Sequence, residues 1–525
     1  MQKFNAKYQS EIAGVLSGFD RLVFRGSLRK IAYVRGMKGY LWAQQVLLKD
    51  FGTYVQKISE QVKQAALHCV EACGRPVQYL YSSLTNKEEV ARSIAEKDQI
   101  SQGLVCALSC VEPCLAFDIH RDRQRQKLEL VQRTRKCLFV YQYWQHPVLG
   151  WMNARIQTWF PFAIQICING REWLARQLDT AGVAYQRQDN CFPWVADFLQ
   201  AQQLLDQQLH THWPELLDQI AKQLNPIHDL IFAALPMSYY WSIYQSEWAT
   251  DVVFRNRQDL KRLYPLWVHH AMTSFGSPEV MRFLGKKPTR DGQVPGQVTA
   301  EIVSDCRCRQ EGVRIKHRYN HNSVKLYDKA YTPVGSVLRA EMTMNHPQDF
   351  KVYRPVAGDP QAAMAWQRMR KGIADLHGRA QVSHRVNERY LDALAQTDDS
   401  TTLDQLIGGL HRPVVLQGKR VRAMRPFAAD DRSLLHAISQ GQFTINGFRN
   451  RDLQDLLYSA PAASSQESRR RSAAISRKLR LLRAHHLIAK VPRSYRYQLT
   501  PLGRQIITAI IAAGNASVNS LAKAA

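Results

Sequence analysis

The chain has 525 residues, of which 45% are hydrophobic and 10% are aromatic. This length exceeds what one hydrophobic core supports, so we expect several domains, and the composition excludes a mostly disordered chain. The formal net charge is +27 and the sequence pI is about 9.8. Because a surface of that sign attracts polyanions, we expect DNA, RNA or both as partners.

The sequence contains no apolar run of the roughly 20 residues that a membrane-spanning helix requires. Its first residues also lack the apolar core of a signal peptide. We therefore predict a cytoplasmic protein without a membrane partner, and a nucleoid-associated one if the partner is DNA. The oligomeric state stays open.

The pattern of apolar residues predicts an α+β multidomain protein. The predicted regions are a mixed α/β N-terminal domain with a possible role in nucleic-acid binding (1–197), a mainly helical region (198–296), a small antiparallel β-meander followed by a helix (297–400) and a C-terminal domain (401–525). Charge is concentrated in the last part. Residues 412–525 carry 20 Lys and Arg against 5 Asp and Glu, whereas the preceding residues carry 51 against 39.

The N-terminal domain begins with a helical pattern over 40–72, followed by apolar runs at 103–110 and 136–144 that predict strands. In the second run Tyr141 and Tyr143 alternate with other residues, so they lie on one face of the strand. If exposed, they would form a stacking platform for single-stranded bases. The alternative, packing in the core, is more common for alternating aromatic residues.

The middle region has leucines at helical spacing over 198–235, and we expect helical character to continue over 247–284. Glu247 and Asp251, four residues apart, would then share one face of a helix. With Glu341 or Asp328 they would hold one or two Mg²⁺ ions for phosphodiester cleavage or strand transfer. The alternative is that these carboxylates face solvent or form ion pairs.

The central region predicts three strands, over 312–319, 323–329 and 336–345. If their apolar residues face the core, their polar residues form a basic sheet face that would bind a nucleic-acid backbone. The cations of this face are Arg314, Lys316, Arg318, Lys325, Lys329 and Arg339. The alternative is a solvated face on which Glu341 pairs with Arg339 or Lys325.

Two motifs within 314–345 are similar to a pattern in the replication initiators of filamentous phages and small plasmids. They are Tyr327-Asp328-Lys329 and Leu338-Arg339-Ala340-Glu341. The resemblance implies DNA cleavage by a catalytic tyrosine, for which Tyr327 is the candidate. Such initiators also carry a His-x-His metal pair, which residues 314–345 lack.

The C-terminal domain has helical patterns over 433–440, 450–458 and 468–484, then two short strands over 487–491 and 495–499 with a basic turn between them. Thr500 and Pro501 then begin a last helix, as N-cap and first helical residue. The order of elements and the segment Tyr497-Gln498-Leu499-Thr500-Pro501-Leu502-Gly503 resemble the winged helix-turn-helix of MarR-type bacterial regulators.

This resemblance implies a recognition helix in the major groove and a hairpin wing on the backbone or in the minor groove. Residues 468–504 contain 11 Lys and Arg and no acidic residue, which favours nucleic-acid binding over protein contact. The candidate contacts are Arg469, Arg470, Arg471, Arg477, Lys478, Arg480, Arg493 and Arg496.

From these patterns we expect a nucleic-acid-binding protein of a bacterial mobile element that processes DNA, either transposase-like or replication-initiator-like. Whether it is a metal-dependent nuclease or strand transferase stays open. One alternative is a non-catalytic binder of structured RNA in a ribonucleoprotein. Another is a large transcription regulator, although such a regulator leaves most of the chain without a role.

Overall fold

The structure is a computed structural model that describes residues 1–285, 302–309, 312–332, 335–356, 359, 361–396, 402–440, 443, 447–458, 460–492 and 494–515. Its internal contacts divide the chain into two units. We call Ser10–Arg257 with His321–Asn387 the sheet unit, and Met1–Gln9, Gln258–Asn320 and Glu388–Ala525 the terminal unit. None of the helices in the described ranges has the length and apolarity needed to cross a bilayer.

The helices are numbered in chain order. They are α1 (Gln2–Lys7), α2 (Val34–Ala43), α3 (Phe51–Glu71), α4 (Lys87–Lys97), α5 (Gly170–Ala181), α6 (Phe198–Asp206), α7 (Trp213–Leu224), α8 (His228–Ile231), α9 (Arg257–Ser274), α10 (Ser277–Phe283), α11 (Leu376–Leu394), α12 (Leu403–Ile407), α13 (Ala429–Ile438), α14 (Asn450–Leu457), α15 (Ser465–Ala484) and α16 (Pro501–Asn515).

The strands are β1 (Ile12–Ser27), β2 (Val77–Leu80), β3 (Gly103–Asp122), β4 (Lys127–His146), β5 (Gly150–Gln157), β6 (Ile164–Asn169), β7 (Tyr185–Gln188), β8 (Cys191–Val195), β9 (Tyr240–Phe254), β10 (Ile302–Arg309), β11 (Gly312–Tyr319), β12 (Asn322–Thr332), β13 (Gly335–Met344), β14 (Lys351–Arg354), β15 (Ala365–Arg368), β16 (Val414–Leu416), β17 (Lys419–Val421), β18 (Ile488–Lys490) and β19 (Tyr497–Leu499).

The sheet unit is built on one large sheet, in which its strands follow the order β12-β13-β9-β1-β6-β5-β4-β3-β2. Neighbours run antiparallel except β2 and β3. Helix α3 contributes to its core through Val55, Ile58, Val62 and Ala66, which are buried because their spacing of three or four residues places them on one face. The protein is therefore α+β, as predicted.

The N-terminal strand predictions are confirmed, since the runs at 103–110 and 136–144 lie inside β3 and β4. The helical pattern over 40–72 is only partly correct, because α2 ends at Ala43 and α3 begins at Phe51. The predicted border after residue 197 lies inside the sheet unit.

The predicted helix over 247–284 is wrong at its start, because residues up to Phe254 form the strand β9. This strand lies between β1 and β13, and pairing on both sides outweighs the local helical spacing. A spacing of four is even, so Glu247 and Asp251 still share a face. The helix predicted after the β-meander of 297–400 is α11, which begins at Leu376 after the short strand β15.

The terminal unit contains the C-terminal helices and hairpin in the order α13, α14, α15, β18, β19, α16. Strands β18 and β19 pair antiparallel, and Phe448 forms a further antiparallel bridge to Tyr497. On α15, Ile475, Leu479 and Leu482 are buried in one core with residues of the neighbouring helices, which agrees with the helical pattern predicted over 468–484.

Candidate functional site

Three carboxylates from adjacent strands of the sheet unit meet at one point. They belong to Asp20 on β1, Glu247 on β9 and Glu341 on β13, and one oxygen of each lies within 4.8 Å of the others. The strand order brings them together, because β9 pairs with both β1 and β13. The pairing of β1 shifts register between Phe19 and Arg21, and such a bulge re-aims the side chain of Asp20.

A lysine ammonium lies among these carboxylates. Lys325 Nζ is 2.5 Å from Glu341 Oε1 and 3.7 Å from Glu247 Oε1. Glu341 therefore forms one of the two ion pairs that the alternative names, the one with Lys325. Burial opposes ionisation, but the Lys325 ammonium lowers the pKa of Glu341 below its usual value.

Two buried arginines hold the fourth carboxylate of this region, Asp251. Arg339 donates to it through Nε at 2.6 Å and Nη2 at 2.8 Å, and Arg171 Nη2 lies 3.0 Å from Asp251 Oδ2. Burial alone would raise the pKa of Asp251, but the two guanidinium groups lower it. Asp251 is therefore engaged on both oxygens, and the prediction that it would serve as a catalytic metal ligand is wrong.

The other two carboxylates hold protons more readily than usual. Burial raises the pKa of Asp20, although Arg339 and Arg171 oppose this, and burial together with Glu341 raises the pKa of Glu247. At these two carboxylates burial therefore outweighs the attraction of the neighbouring cations.

Several buried polar atoms at this point have no hydrogen-bond partner in the described part of the chain. They are Asp20 Oδ1, Arg171 Nε, Arg171 Nη1 and Arg339 Nη1. Arg339 Nη1 is 3.3 Å from Asp20 Oδ1, and Asn190 Nδ2 donates to Asp20 Oδ2 at 3.0 Å. Asp20 Oδ1 also lies 3.8 Å from Arg171 Nε, so these atoms face opposite charges although they lack hydrogen-bond geometry.

Asp20, Glu247 and Glu341 offer oxygen ligands of the kind that Mg²⁺ prefers. The Lys325 ammonium, however, already contacts Glu341, so a metal ion would compete with it for this carboxylate. A magnesium ion therefore fits this donor set only if Lys325 moves away from Glu341. The sequence prediction included Glu247 and Glu341 but missed Asp20, whose one signal is an acidic residue inside the apolar run of β1.

Two other predicted catalytic residues do not join these three carboxylates. Asp328 is half-buried on β12, and burial raises its pKa to about 6, although Arg257 opposes the shift. Tyr327 is half-buried and pairs across the strands with Arg339. A His-x-His pair is present elsewhere in the chain, at His210 and His212, where the His210 ring lies 5.6 Å from that of His377.

The predicted basic sheet face is wrong for Arg339 and Lys325, whose charges are paired with buried carboxylates of the sheet unit, whereas Lys329 pairs with an exposed carboxylate. Arg339 is fully buried, Lys325 pairs with Glu341, and Lys329 Nζ lies 3.3 Å from the exposed Asp189. In the terminal unit, Arg318 is exposed, whereas Arg314 and Lys316 are half-buried.

The predicted stacking platform is also wrong, since Tyr141 and Tyr143 are only 7% and 3% exposed. They belong to a buried apolar cluster with Trp151, and the Tyr141 hydroxyl donates to Glu112 Oε1 at 2.7 Å. Core packing, the alternative, is confirmed.

The candidate contacts on α15 fall into two groups. Arg469, Arg470, Arg477 and Arg480 are exposed, and Lys478 is half-buried. Arg471 instead makes local contacts, pairing with Glu467 at 2.5 Å, donating to the Ala460 carbonyl at 2.6 Å and lying over the Tyr458 ring. These contacts hold the start of α15, so Arg471 is engaged within the protein.

The hairpin after α15 carries the remaining candidate contacts. Arg496 is half-buried and donates to the Gly447 carbonyl at 3.3 Å, while Lys490 and Tyr495 are exposed. Arg493, a predicted contact, lies outside the described residues.

Comparisons with known proteins do not assign this chain to a family. No protein-family model matches it, and no curated protein matches it. One solved structure that it matches is described as the di-domain ARO/CYC BexL from the BE-7585A biosynthetic pathway, at 10% sequence identity over 60% of this chain and 95% of that chain. The TM-score of 0.14 is too low to support any conclusion about fold.

Proposed function

We propose that the chain binds nucleic acid through a C-terminal winged helix-turn-helix, with α15 as recognition helix and the β18–β19 hairpin as wing. The observation that carries this proposal is the row of exposed arginines on α15, Arg470, Arg477 and Arg480, on a helix whose other side packs into the core. Exposed cations that outnumber the acidic residues around them attract phosphates.

The order of elements supports the same proposal. Helices α13, α14 and α15 are followed by an antiparallel hairpin and a closing helix. Phe448 forms an antiparallel bridge to Tyr497 and so pairs with the β19 strand of that hairpin. This is the order of winged-helix domains, in which a helix enters the major groove and the wing contacts the backbone.

We further propose that the chain processes DNA as part of a bacterial mobile element, with Asp20, Glu247 and Glu341 as ligands of Mg²⁺. A bound ion would polarise a phosphoryl oxygen and activate water at this cluster. Arg171 and Arg339 would hold the cluster in place, and Lys325 would release Glu341 when the ion binds.

A second candidate function is a non-catalytic binder of structured RNA, and one observation favours its non-catalytic part. Lys325 already neutralises Glu341 from inside the protein, so the cluster has an internal counter-ion. In that case Asp20 and Glu247 complete a structural ion network, and the chain requires no metal.

Two experiments separate these functions. The full chain is first purified from its host without nuclease, and the nucleic acid that accompanies it is sequenced. An abundant discrete RNA supports the RNA binder, DNA from the ends of an element supports the DNA-processing protein, and recovery of no nucleic acid contradicts both.

The second experiment tests catalysis. Wild type, Glu341→Gln and the control Glu60→Gln, an exposed substitution on α3, are incubated with Mg²⁺ and labelled DNA. The DNA-processing proposal predicts cleavage or strand transfer by wild type and the control, and loss of it in Glu341→Gln with DNA binding retained. Absence of metal-dependent chemistry in wild type would leave only the binding function.

A further inference from the structure

A small hairpin of the sheet unit presents two aromatic rings to solvent. Strands β14 and β15 pair antiparallel, with Tyr353 directly opposite Trp366. Their side chains are 55% and 62% exposed, and their ring centroids are 5.5 Å apart at an interplanar angle of 53°. Because the rings are tilted against each other, each keeps accessible aromatic surface.

Two cations lie next to these rings on the same face of the hairpin. Lys351 lies directly opposite Arg368 in the strand register, and both are exposed. Each is two residues from one of the rings, so all four side chains point to the same side. Like charges directly opposite each other destabilise a strand pair, and neither cation has a carboxylate partner among the described residues. An anion between them would remove this repulsion.

The other side of the hairpin fixes it to the sheet unit. Val352 is buried against Gly378 of α11, and Arg354 Nε lies 2.9 Å from Asp375 Oδ1. Asp375 also accepts a hydrogen bond from the backbone of Arg370 at 2.6 Å. The hairpin is thus held in place before any ligand binds, which reduces the entropy cost of binding.

The basic and aromatic surface continues beyond the hairpin along residues 370 and 371. The Lys371 carbonyl accepts a hydrogen bond from the backbone of Ile243 on β9 at 2.6 Å. The Lys371 ammonium lies 5.3 Å from the ring centroid of Tyr244, which is itself exposed. Between 351 and 371 the sequence has five Lys and Arg against one acidic residue, Asp359.

We propose that the β14–β15 hairpin binds single-stranded nucleic acid, with bases stacked on Tyr353 and Trp366 and phosphates held between Lys351 and Arg368. Aromatic rings bind bases of any sequence by stacking, and adjacent cations follow the backbone. A duplex keeps its bases stacked inside, so the rings select unpaired strands. The inference deepens the proposed function, on which it rests for the class of ligand.

The test measures binding of the full chain to labelled oligothymidylate, to oligouridylate and to a duplex. Tyr353→Ala/Trp366→Ala is compared with the control Trp42→Ala, which removes another highly exposed ring of the sheet unit. The proposal predicts that the double variant loses roughly tenfold or more in affinity for the single strands. Its duplex affinity and its melting temperature, as well as all affinities of the control, stay unchanged.

A second variant tests the cations. Lys351→Gln/Arg368→Gln is expected to weaken single-strand binding and to reduce its salt dependence, because phosphate contacts release counterions. The proposal is overturned if both double variants bind single strands as wild type does, or if wild type binds anionic vesicles or an acidic peptide through these residues and no single strand. If substitutions of the exposed arginines on α15 abolish duplex binding but leave single-strand binding intact, the winged helix and the β14–β15 hairpin are independent binding sites.

Discussion

The buried pair of Arg339 and Asp251 gives the sharpest prediction about stability. Arg339→Met removes two hydrogen bonds, at 2.6 and 2.8 Å, and a third to the Asn190 carbonyl at 2.6 Å. Asp251 keeps only Arg171, and Asp20 loses its nearer arginine. Removing one partner of a buried pair leaves an uncompensated charge, so we expect a loss of about 3 to 5 kcal/mol in the free energy of unfolding.

The assay is calorimetric unfolding of the full chain at neutral pH. At roughly 2 to 4 °C per kcal/mol, the sheet unit should melt about 6 to 20 °C lower in the variant. The control is Lys329→Met, whose partner Asp189 is exposed. An ion pair with one exposed partner contributes about 0 to 1 kcal/mol, so this change should move the melting temperature little.

A double-mutant cycle completes the test. Arg339→Met/Asp251→Asn should be less destabilised than the two single variants added together, by roughly 1 to 3 kcal/mol, because the two side chains interact directly. Equal effects of Arg339→Met and Lys329→Met, or a cycle without coupling, would refute the assignment of a buried charge network.

Two further predictions concern Asp328 and α15. Because the folded protein raises the pKa of Asp328 to about 6, its ionisation destabilises the fold as pH rises from about 4 through 6. Asp328→Asn should therefore be more stable than wild type at pH 7.5, by about 1 kcal/mol after solvent screening. Below pH 4 the two proteins should be equally stable. A stability difference that does not change with pH would contradict the raised pKa of Asp328. In the C-terminal region, Arg471→Met should lower the melting temperature, because it removes the bonds to Glu467 and Ala460. Arg470→Met should lower only the affinity for duplex DNA. Thermal melting and duplex binding measure the two effects. The same effect from both changes would contradict the distinct roles of these arginines.

The sequence predicts many of the helices and strands of this protein, because their apolar residues repeat at the spacing of the element. The three strands over 312–345 and the stripe of Ile475, Leu479 and Leu482 follow from this periodicity. Strand β9 does not, because a spacing of four residues suits both a helix and one face of a strand. Only its pairing with β1 and β13 decides the outcome.

The candidate site is harder to predict for a related reason. Alternation correctly places Lys325, Arg339 and Glu341 on one side of their strands, but it does not reveal that other parts of the protein cover that side. Asp20 comes from a strand hundreds of residues earlier in the chain, and only the sheet order brings it to Glu341. Likewise the exposed pair of Tyr353 and Trp366 depends on the register of a hairpin.

The central claim is that α15 binds nucleic acid, and the salt dependence of duplex binding tests it most directly. Arg470→Met/Arg477→Met/Arg480→Met is compared with wild type over a range of salt concentrations. If the three arginines neutralise phosphates, the slope of log affinity against log salt should decrease in magnitude by about 0.9 for each phosphate that the variant leaves unneutralised, and binding should weaken. An unchanged slope and affinity would contradict the claim that this helix binds nucleic acid.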